Sequence, residues 1–327
     1  AGVTFTLDND DTGYDTTAAN LVALNGATTT AVNAAAVTTI TGTASNWDAL
    51  ISDKNASEVT LNAAFAGKIT GTSTVADLEA VDGITTGTVV ALALTDNFSA
   101  IQGASSALIK ASAEASGSTV TVNGTAAANT IDLSTVTITG AGAGFKIVAG
   151  DGDDTITGST GATKASDVFT FEATAAGNGN DTITSFKLAA LASGGDVLDI
   201  GDGIFATLEG TSATNIVLQS AATTTAGYRM VFLSEDDAGA VGTVQTLLNN
   251  ATNDEFWDLI NQTKLVMWEI ANNVSIGVGI WENTDTTDDG DGTLTQIATL
   301  EIADTDTFRT TLTGGSNAAV GDNILLA

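Results

Sequence analysis

The sequence predicts a mainly β protein, built as a parallel β-solenoid or β-roll with short helices and followed by a smaller α+β C-terminal region. Three observations support this fold class. Short phrases recur in the first third of the chain, a glycine- and aspartate-rich nonapeptide occurs twice near the middle, and helix-like and strand-like segments alternate towards the end. A repeat that cannot bury its own apolar face is stabilised by stacking on its neighbours.

The first region, residues 1–116, is predicted to be a strand-rich, repeat-containing domain. The phrase ITGT occurs at 40–43 and at 69–72, and a looser copy of its surroundings lies at 90–104. In each copy, β-branched residues and threonine favour a short strand, and a Ser, Thr or Asp that can cap a helix leads into one or two helical turns. Stacked copies would form a solenoid, whereas the same strands could also build a conventional sandwich.

The C-terminal region, residues 211–327, is predicted to combine helices with a hairpin. Apolar residues between 243 and 264 recur at helical spacing, which predicts one or two amphipathic helices. The segments KLVMWEI and ANNVSIGVGIWEN predict a hairpin that turns at 271–273. Three tryptophans indicate that a compact core lies in this region: Trp257, Trp268 and Trp281.

The charge balance excludes two classes of partner. The 327-residue chain has 39 Asp and Glu against 9 Lys and Arg, which gives a formal net charge of −30. Binding of nucleic acid requires clustered cations, but the basic residues of this chain stand far apart. An anionic membrane surface is disfavoured for the same reason, and no apolar run approaches the roughly 20 residues of a membrane span. We therefore expect neither nucleic-acid binding nor membrane insertion.

The chain contains no Cys and no His. Disulfides, Ser-His-Asp and Cys-His catalysis and the usual zinc sites are excluded, because each requires a thiol or an imidazole. Ligation of a hard cation by oxygen atoms alone remains possible, and Ca²⁺ suits it best. Divalent cations would then neutralise part of the acidity, although solubility in salty surroundings is an alternative explanation.

The central region, residues 117–210, contains the motif for this chemistry. AGDGDDTIT at 149–157 and AGNGNDTIT at 176–184 both fit the nonapeptide G-G-x-G-x-D-x-U-x, in which U is a large apolar residue, except that Ala replaces the first glycine. The glycines permit left-handed turns in which carbonyl oxygens converge, and the Asp supplies a hard oxygen ligand. One turn supplies only part of a coordination shell, so calcium is expected between stacked turns. The alternative is a metal-free coil of Asx and glycine turns.

Other acidic segments are weaker candidates. SDVF at 166–169 repeats the end of the motif without its glycines, and Asn129 marks a degenerate turn. The loop at 282–292 and the N-terminal run at 8–15 are each either a calcium site or a solvated acidic loop. The acidic residues of the first of these loops are Asp285, Asp288, Asp289 and Asp291.

These motifs, in this order, resemble the RTX (repeats-in-toxin) calcium-binding proteins of type I secretion, and most closely the RTX-type bacterial surface-layer and extracellular structural proteins. The resemblance covers residues 117–210 and implies a short calcium-bound β-roll, because only two turns are well kept. It makes Asp154, Asp167 and Asp181 the best side-chain ligands, supported by main-chain oxygens near the glycines. The whole predicted set in this region is Gly150, Asp151, Gly152, Asp153, Asp154, Asp167, Gly177, Gly179, Asp181, Asp196 and Asp199.

The resemblance also implies an export route. The N-terminal residues lack the basic and apolar stretches of a secretory signal. The last residues, TTLTGGSNAAVGDNILLA, resemble the uncleaved C-terminal signal of RTX proteins. We therefore expect an extracellular protein at the bacterial cell surface.

The predicted function is structural and not enzymatic. The zinc proteases of the RTX group need histidines, and acidic pairs such as Asp77 with Glu79 are typical of a solvated helix face. We predict a secreted calcium-binding protein whose partner is itself, assembled into a surface layer, sheath or filament. One alternative is a monomeric adhesin or polysaccharide-binding module that contacts cell-surface polysaccharide. A weaker alternative is a carboxylate-dependent glycosidase or lyase.

Overall fold

The structure is a computed structural model that describes residues 6–7, 14–139, 144–160, 166–171, 175–187, 195–200, 212–219, 228–233, 242, 244–245, 262–271, 275–283, 292–301 and 324–325. Over these residues the protein is mainly strands with a few short helices, and most strand pairs are parallel. The predicted mainly β class is confirmed. The chain divides into two compact units, the first comprising 1–123 and 136–145 and the second comprising 124–135 and 146–327.

The first unit repeats a strand followed by a helix. Its sheet has the order β1-β3-β5-β6-β7 and is parallel throughout, while β2 and β4 form a separate parallel pair. The phrases that recur in the sequence form β3–α2, β5–α3 and β6–α4. The elements are β1 (Tyr14–Thr17), α1 (Ala18–Gly26), β2 (Val32–Ala34), β3 (Val37–Thr43), α2 (Ala44–Asn55), β4 (Val59–Leu61), β5 (Ala66–Ser73), α3 (Val75–Asp82), β6 (Val89–Asn97), α4 (Phe98–Gly103), α5 (Ser106–Glu114) and β7 (Thr119–Asn123).

Each helix of this repeat begins after a capping residue. The side chains of Thr43, Thr74 and Asn97 each accept the N–H of the residue three positions later, at 3.4, 3.3 and 3.0 Å. Asp77 completes a capping box because its carboxylate accepts the Thr74 N–H at 2.8 Å. The carboxylate of Asp77 therefore forms hydrogen bonds that cap the N-terminus of α3.

Apolar residues of the helices fill the core of the first unit. Trp47 and Leu50 of α2 and Leu78 of α3 are at most 1% exposed. The Trp47 ring stacks on Phe65, with 5.8 Å between ring centroids. Each strand–helix repeat therefore closes on apolar contacts, which stabilise without any ion.

The second unit contains short strands that alternate between two parallel ladders. One ladder is β8-β10-β12 and the other is β9-β11-β13, so each strand is followed along the chain by a strand of the other ladder. The elements so far are β8 (Thr130–Asp132), β9 (Phe145–Val148, whose first residue belongs to the first unit), β10 (Thr155–Thr157), β11 (Val168–Thr170), α6 (Ala175–Asn178), β12 (Asp181–Thr184) and β13 (Val197–Asp199).

Longer strands extend the first of these ladders, and a two-residue strand extends the second. The strand order β14-β15-β16-β17-β18 leads into β12, and β19 pairs with β13. These strands are β14 (Ser212–Gln219), β15 (Tyr228–Leu233), β16 (Gln262–Ala271), β17 (Ser275–Asn283), β18 (Thr293–Glu301) and β19 (Ile324–Leu325).

The apolar position of each nonapeptide lies in the core, as predicted. Ile156 pairs with Ile131 and Ile183 in adjacent strands, and all three are at most 2% exposed. The flanking threonines point to the opposite face because side chains alternate along a strand. The other ladder contains an equivalent apolar row, which is also buried and consists of Ile147, Phe169 and Leu198.

The predicted C-terminal hairpin is confirmed, because β16 and β17 pair antiparallel. Trp268 and Trp281 are fully buried in these strands, whereas Trp257 lies outside the described residues. The end of the predicted helix at 243–264 is wrong. Residues 262–264 belong to β16, where Gln262 pairs with Asn283, so ladder hydrogen bonds prevail over the helical apolar spacing.

Candidate metal site

The first nonapeptide forms a tight turn that stacks against its neighbours. Gly150 and Gly152 have φ values of +94° and +105°, in the region that glycine adopts readily. A Cβ on Gly150 would overlap the main-chain oxygen of Thr125, and a Cβ on Gly179 would overlap that of Gly152. At these glycine positions the turns at 124–128, 149–153 and 176–180 therefore approach each other through backbone, and a side chain would not fit there.

Three side chains at the same position of successive turns form what we call the first column: Asn129, Asp154 and Asp181. One Asp154 oxygen, Oδ1, accepts the N–H of Asn129 at 2.6 Å. Oδ1 of Asp181 accepts the N–H of Asp154 at 3.1 Å. Asn129 closes its own turn, since its Oδ1 accepts the Thr125 N–H at 2.6 Å. Each carboxylate of the first column therefore ties its turn to the preceding one.

Asp167 and Asp196 form a second column, on the other ladder, and both are fully buried. Oδ1 of Asp196 accepts the N–H of Asp167 at 3.0 Å, and its Oδ2 accepts the N–H of Lys187 at 2.8 Å. Oδ2 of Asp167 accepts the Ser159 N–H at 2.7 Å, and the Ser159 hydroxyl also donates to Asp167, at 3.0 Å. Each carboxylate of the second column therefore closes the loop that precedes it.

One carboxylate oxygen of the two columns departs from this pattern. Asp181 resembles the second column, since its Oδ2 accepts a hydrogen bond from the Asn178 side chain at 3.2 Å. Oδ2 of Asp154 is buried and has no hydrogen-bond partner, in a residue that is only 1% exposed. A buried carboxylate oxygen without a partner is costly, because it has lost its hydration without replacement. A bound cation would supply the missing partner.

The electrostatics of the first column point the same way. Burial raises the pKa of Asp154 to about 6, against a lowering by the Asn129 N–H and a further rise from the Asp153 charge. Burial also raises the pKa of Asp181 to about 7, opposed by the Asp154 N–H. Both carboxylates are thus poorly stabilised as anions, and a divalent cation between the turns would stabilise the ionised forms.

The donor set of the first column fits a hard cation, provided that main-chain oxygens contribute. The side-chain atoms of the first column that could bind a metal ion are all oxygens, which Ca²⁺ prefers as ligands. Among the described residues, no group of three or more acidic side chains is arranged to hold an ion by itself. The remaining ligands would be main-chain oxygens of the stacked glycine turns, which Ca²⁺ sites commonly use.

The structure places most of the predicted ligands in these stacked turns. Asp151 and Asp153 are exposed beside Asp154, and Asp153 accepts the Asn180 N–H at 2.9 Å. Gly177 differs from expectation, because it lies in the short helix α6 and has no left-handed backbone. Asp199 is half-buried and accepts the Thr170 hydroxyl at 3.4 Å. The acidic loop residues Asp285, Asp288, Asp289 and Asp291 lie outside the described residues.

Sequence reasoning missed two residues that hold the carboxylates. Asn178 lies three positions before Asp181, and its side chain also donates to the Ile297 main-chain oxygen at 3.0 Å. Ser159 lies eight positions before Asp167. Asn178 could have been found because it lies inside the nonapeptide. The contact of Ser159 with Asp167 depends on how the loop folds, so the sequence gives no signal for it.

Comparison of the chain with protein-family models, curated proteins and solved structures finds no significant match. The RTX resemblance therefore stays a prediction that rests on the motif residues. None of the helices in the described part of the chain is both long and apolar enough to cross a membrane.

Proposed function

We propose that this chain is a secreted, calcium-binding structural protein that self-assembles into an extracellular layer, sheath or filament and has no enzymatic activity. The observation that supports calcium binding best is the buried, unpartnered Oδ2 of Asp154 beside two stacked glycine turns. In this proposal Asp154 holds the ion together with main-chain oxygens of residues 149–153 and 176–180. The neighbouring charges of Asp153 and Asp181 strengthen the attraction for a cation.

The alternating ladders of the second unit support a β-roll of the RTX type as the finer description of the fold. Successive strands from β8 to β13 belong alternately to the two ladders, and their apolar residues form one buried row in each ladder. The strand–helix repeats of the first unit support a solenoid there. In both cases each repeat buries its apolar face against the next one.

Calcium would couple folding to export. The net charge of −30 opposes a compact state through self-repulsion. Calcium that binds only the folded state stabilises it by mass action, by about 2.7 kcal/mol at a concentration 100 times the Kd. The chain would remain poorly ordered where calcium is scarce and would fold outside the cell.

Assembly would use sheet edges. In the described structure β1 pairs with β3 alone and β14 pairs with β15 alone, so each presents an edge. An edge strand can pair with a strand of another copy. Because each copy carries a charge of −30, cations must reduce the repulsion before copies can approach, and we expect assembly to depend on calcium.

A second candidate function is a monomeric adhesin or polysaccharide-binding module, favoured by two open grooves in the first unit, one mainly polar and one mixed. Both run between consecutive repeats and carry hydroxyl and amide side chains suited to a sugar polymer. The polar residues that line them are Lys54, Asn62, Thr85 and Thr86 in one groove and Asn25, Thr28, Thr29, Thr30, Ser57 and Glu58 in the other.

Light scattering after size-exclusion chromatography, combined with circular dichroism, tests the proposal. The chain is measured in EGTA and then in millimolar calcium. We expect calcium to produce additional β-structure together with large particles, which electron microscopy would identify as layers or filaments. Folding without growth would favour the binding module, and an absence of any calcium response would refute the calcium role.

A further inference from the structure

We propose that the two carboxylate columns do different work: calcium binds at the first column, at Asp154, whereas the second column closes its turns by hydrogen bonds alone. This inference rests on the calcium role proposed above. It narrows the predicted ligands to one side of the second unit and separates residues that bind the ion from residues that only shape the fold.

The second column already has a donor for every carboxylate oxygen. Both oxygens of Asp167 receive the Ser159 hydroxyl, and Oδ2 also receives the Ser159 N–H. The two oxygens of Asp196 receive the N–H groups of Asp167 and Lys187. A cation that displaced these donors would leave their N–H groups without acceptors, which is unfavourable in a buried site.

The loop of the second column also fills the space that an ion would need. Gly158 packs so closely on Asp167 that an added Cβ would lie 2.7 Å from Oδ2 and 3.3 Å from the Phe169 ring. The backbone of residues 158–159 therefore lies directly on the carboxylate. With N–H donors and backbone in place, the charge of Asp167 is stabilised without metal.

The first column offers the opposite arrangement at Asp154. Its Oδ2 has no donor, and the preceding loop contributes two left-handed glycines, Gly150 and Gly152, in place of a serine that could donate. The carboxylate of Asp181 accepts the Asp154 N–H at 3.1 Å, and Asp153 precedes Asp154 in the chain, so both negative charges lie close to Asp154 and would attract a cation. The glycines that precede Asp154 thus favour an ion site, whereas Ser159 gives Asp167 a hydrogen-bonded closure.

Equilibrium dialysis against calcium, with bound metal measured by atomic emission, tests this assignment on the full chain. The matched variants are Asp154→Asn and Asp196→Asn, which remove one charge from each column and keep the side-chain shape. We expect Asp154→Asn to bind fewer ions per chain than the wild type, or to bind with affinity weakened more than about tenfold. We expect Asp196→Asn to bind as many ions as the wild type while unfolding at lower temperature.

Loss of an ion in Asp196→Asn, or a full complement of ions in Asp154→Asn, would overturn the assignment. If Asp196→Asn does not fold, Ser159→Ala gives the same test, because it removes the hydroxyl donor and keeps the Asp167 charge. Ser159→Ala is expected to keep all ions, and an ion lost there would contradict the proposal. A wild type that binds no calcium would instead refute the proposed function itself.

Discussion

The two units of the molecule treat charge in opposite ways. Among the described residues, the four acidic residues that are buried as whole residues lie in the second unit, at Asp154, Asp167, Asp181 and Asp196, whereas the half-buried Asp53 of the first unit has one buried oxygen without a hydrogen-bond partner. The buried polar residues of the first unit are Ser73 and Ser112, and its turns close on apolar residues such as Trp47 and Leu50. Stacked parallel strands can therefore be held by apolar helices or by carboxylates, and only carboxylates can make the fold depend on ions and pH.

Withdrawal of calcium should produce the largest difference in stability between the two units. In calorimetry with EGTA, we expect the transition of the second unit to fall to low temperature or disappear, while the transition of the first unit stays in place. The reason is that the second unit would lose the proposed ion at Asp154, whereas the described core of the first unit is held by apolar contacts. A single transition that moves as a whole would contradict this independence.

Trp47→Ala should give the complementary result in the first unit. The side chain is 1% exposed and stacks on Phe65, so its removal should cost about 3–5 kcal/mol of unfolding free energy. Denaturant titration measures this loss, and calcium dialysis on the same variant provides the control. We expect the number of bound ions to be unchanged, and a lost ion would show that the units are coupled.

Gly150→Ala and Gly71→Ala separate crowding from backbone conformation. Both glycines have positive φ, but nothing lies within 4 Å of an added Cβ at Gly71, whereas Gly150 would meet Thr125. Gly71→Ala should cost about 1–2 kcal/mol for the left-handed backbone alone. Gly150→Ala should cost more and should also weaken calcium binding. Equal losses in thermal melts would mean that the turns do not stack as described.

The stability of the second unit in EGTA should depend on pH. Burial raises the pKa of Asp154 to about 6 and that of Asp181 to about 7, from 3.8. Between about pH 4 and pH 7 the folded state therefore binds more protons than the unfolded state, so the stability of the second unit falls as pH rises. Thermal melts from pH 4.5 to 7.5 measure this slope. Calcium should flatten it, and a rise in stability with pH in EGTA would contradict the assignment.

Thr74→Ala should have the smallest effect. It removes the cap of α3 and its capping box, at a cost of about 1 kcal/mol in the first unit. Thr28→Ala is the control for the loss of a threonine hydroxyl alone, because Thr28 lies in a groove of the first unit away from the start of any helix. Denaturant titration with and without calcium should give the same loss for Thr74→Ala, because the cap of α3 consists of hydrogen bonds between Thr74 and Asp77.

Much of the fold could be predicted because local patterns determine it. The phrases at 40–43 and 69–72 form strands whose following helices begin at Thr43 and Thr74, since the cap and the apolar spacing lie within a few residues. The apolar positions Ile156 and Ile183 lie in the core for the same reason. The helical spacing at 243–264 predicts a helix where residues 262–264 form a strand, because their pairing with β17 depends on residues farther along the chain.

The candidate site could be predicted only in part. The motif identified Asp154 and Asp181, yet Oδ2 of Asp154 is distinguished only by its lack of a donor, which depends on how the preceding loop folds. Ser159 reaches Asp167 across eight residues, and no short pattern encodes that distance. The sequence therefore indicates which residues are acidic ligands in principle, whereas hydrogen bonding separates the two columns.

Hydrogen exchange with mass spectrometry, in EGTA and in millimolar calcium, tests the central claim most directly. Peptides from residues 37–97 report on the first unit, and peptides from 146–187 report on the stacked turns of the second. We predict that the first set is equally protected in both conditions and that the second set is protected only with calcium. Equal protection of the stacked turns in EGTA and in calcium would contradict the account.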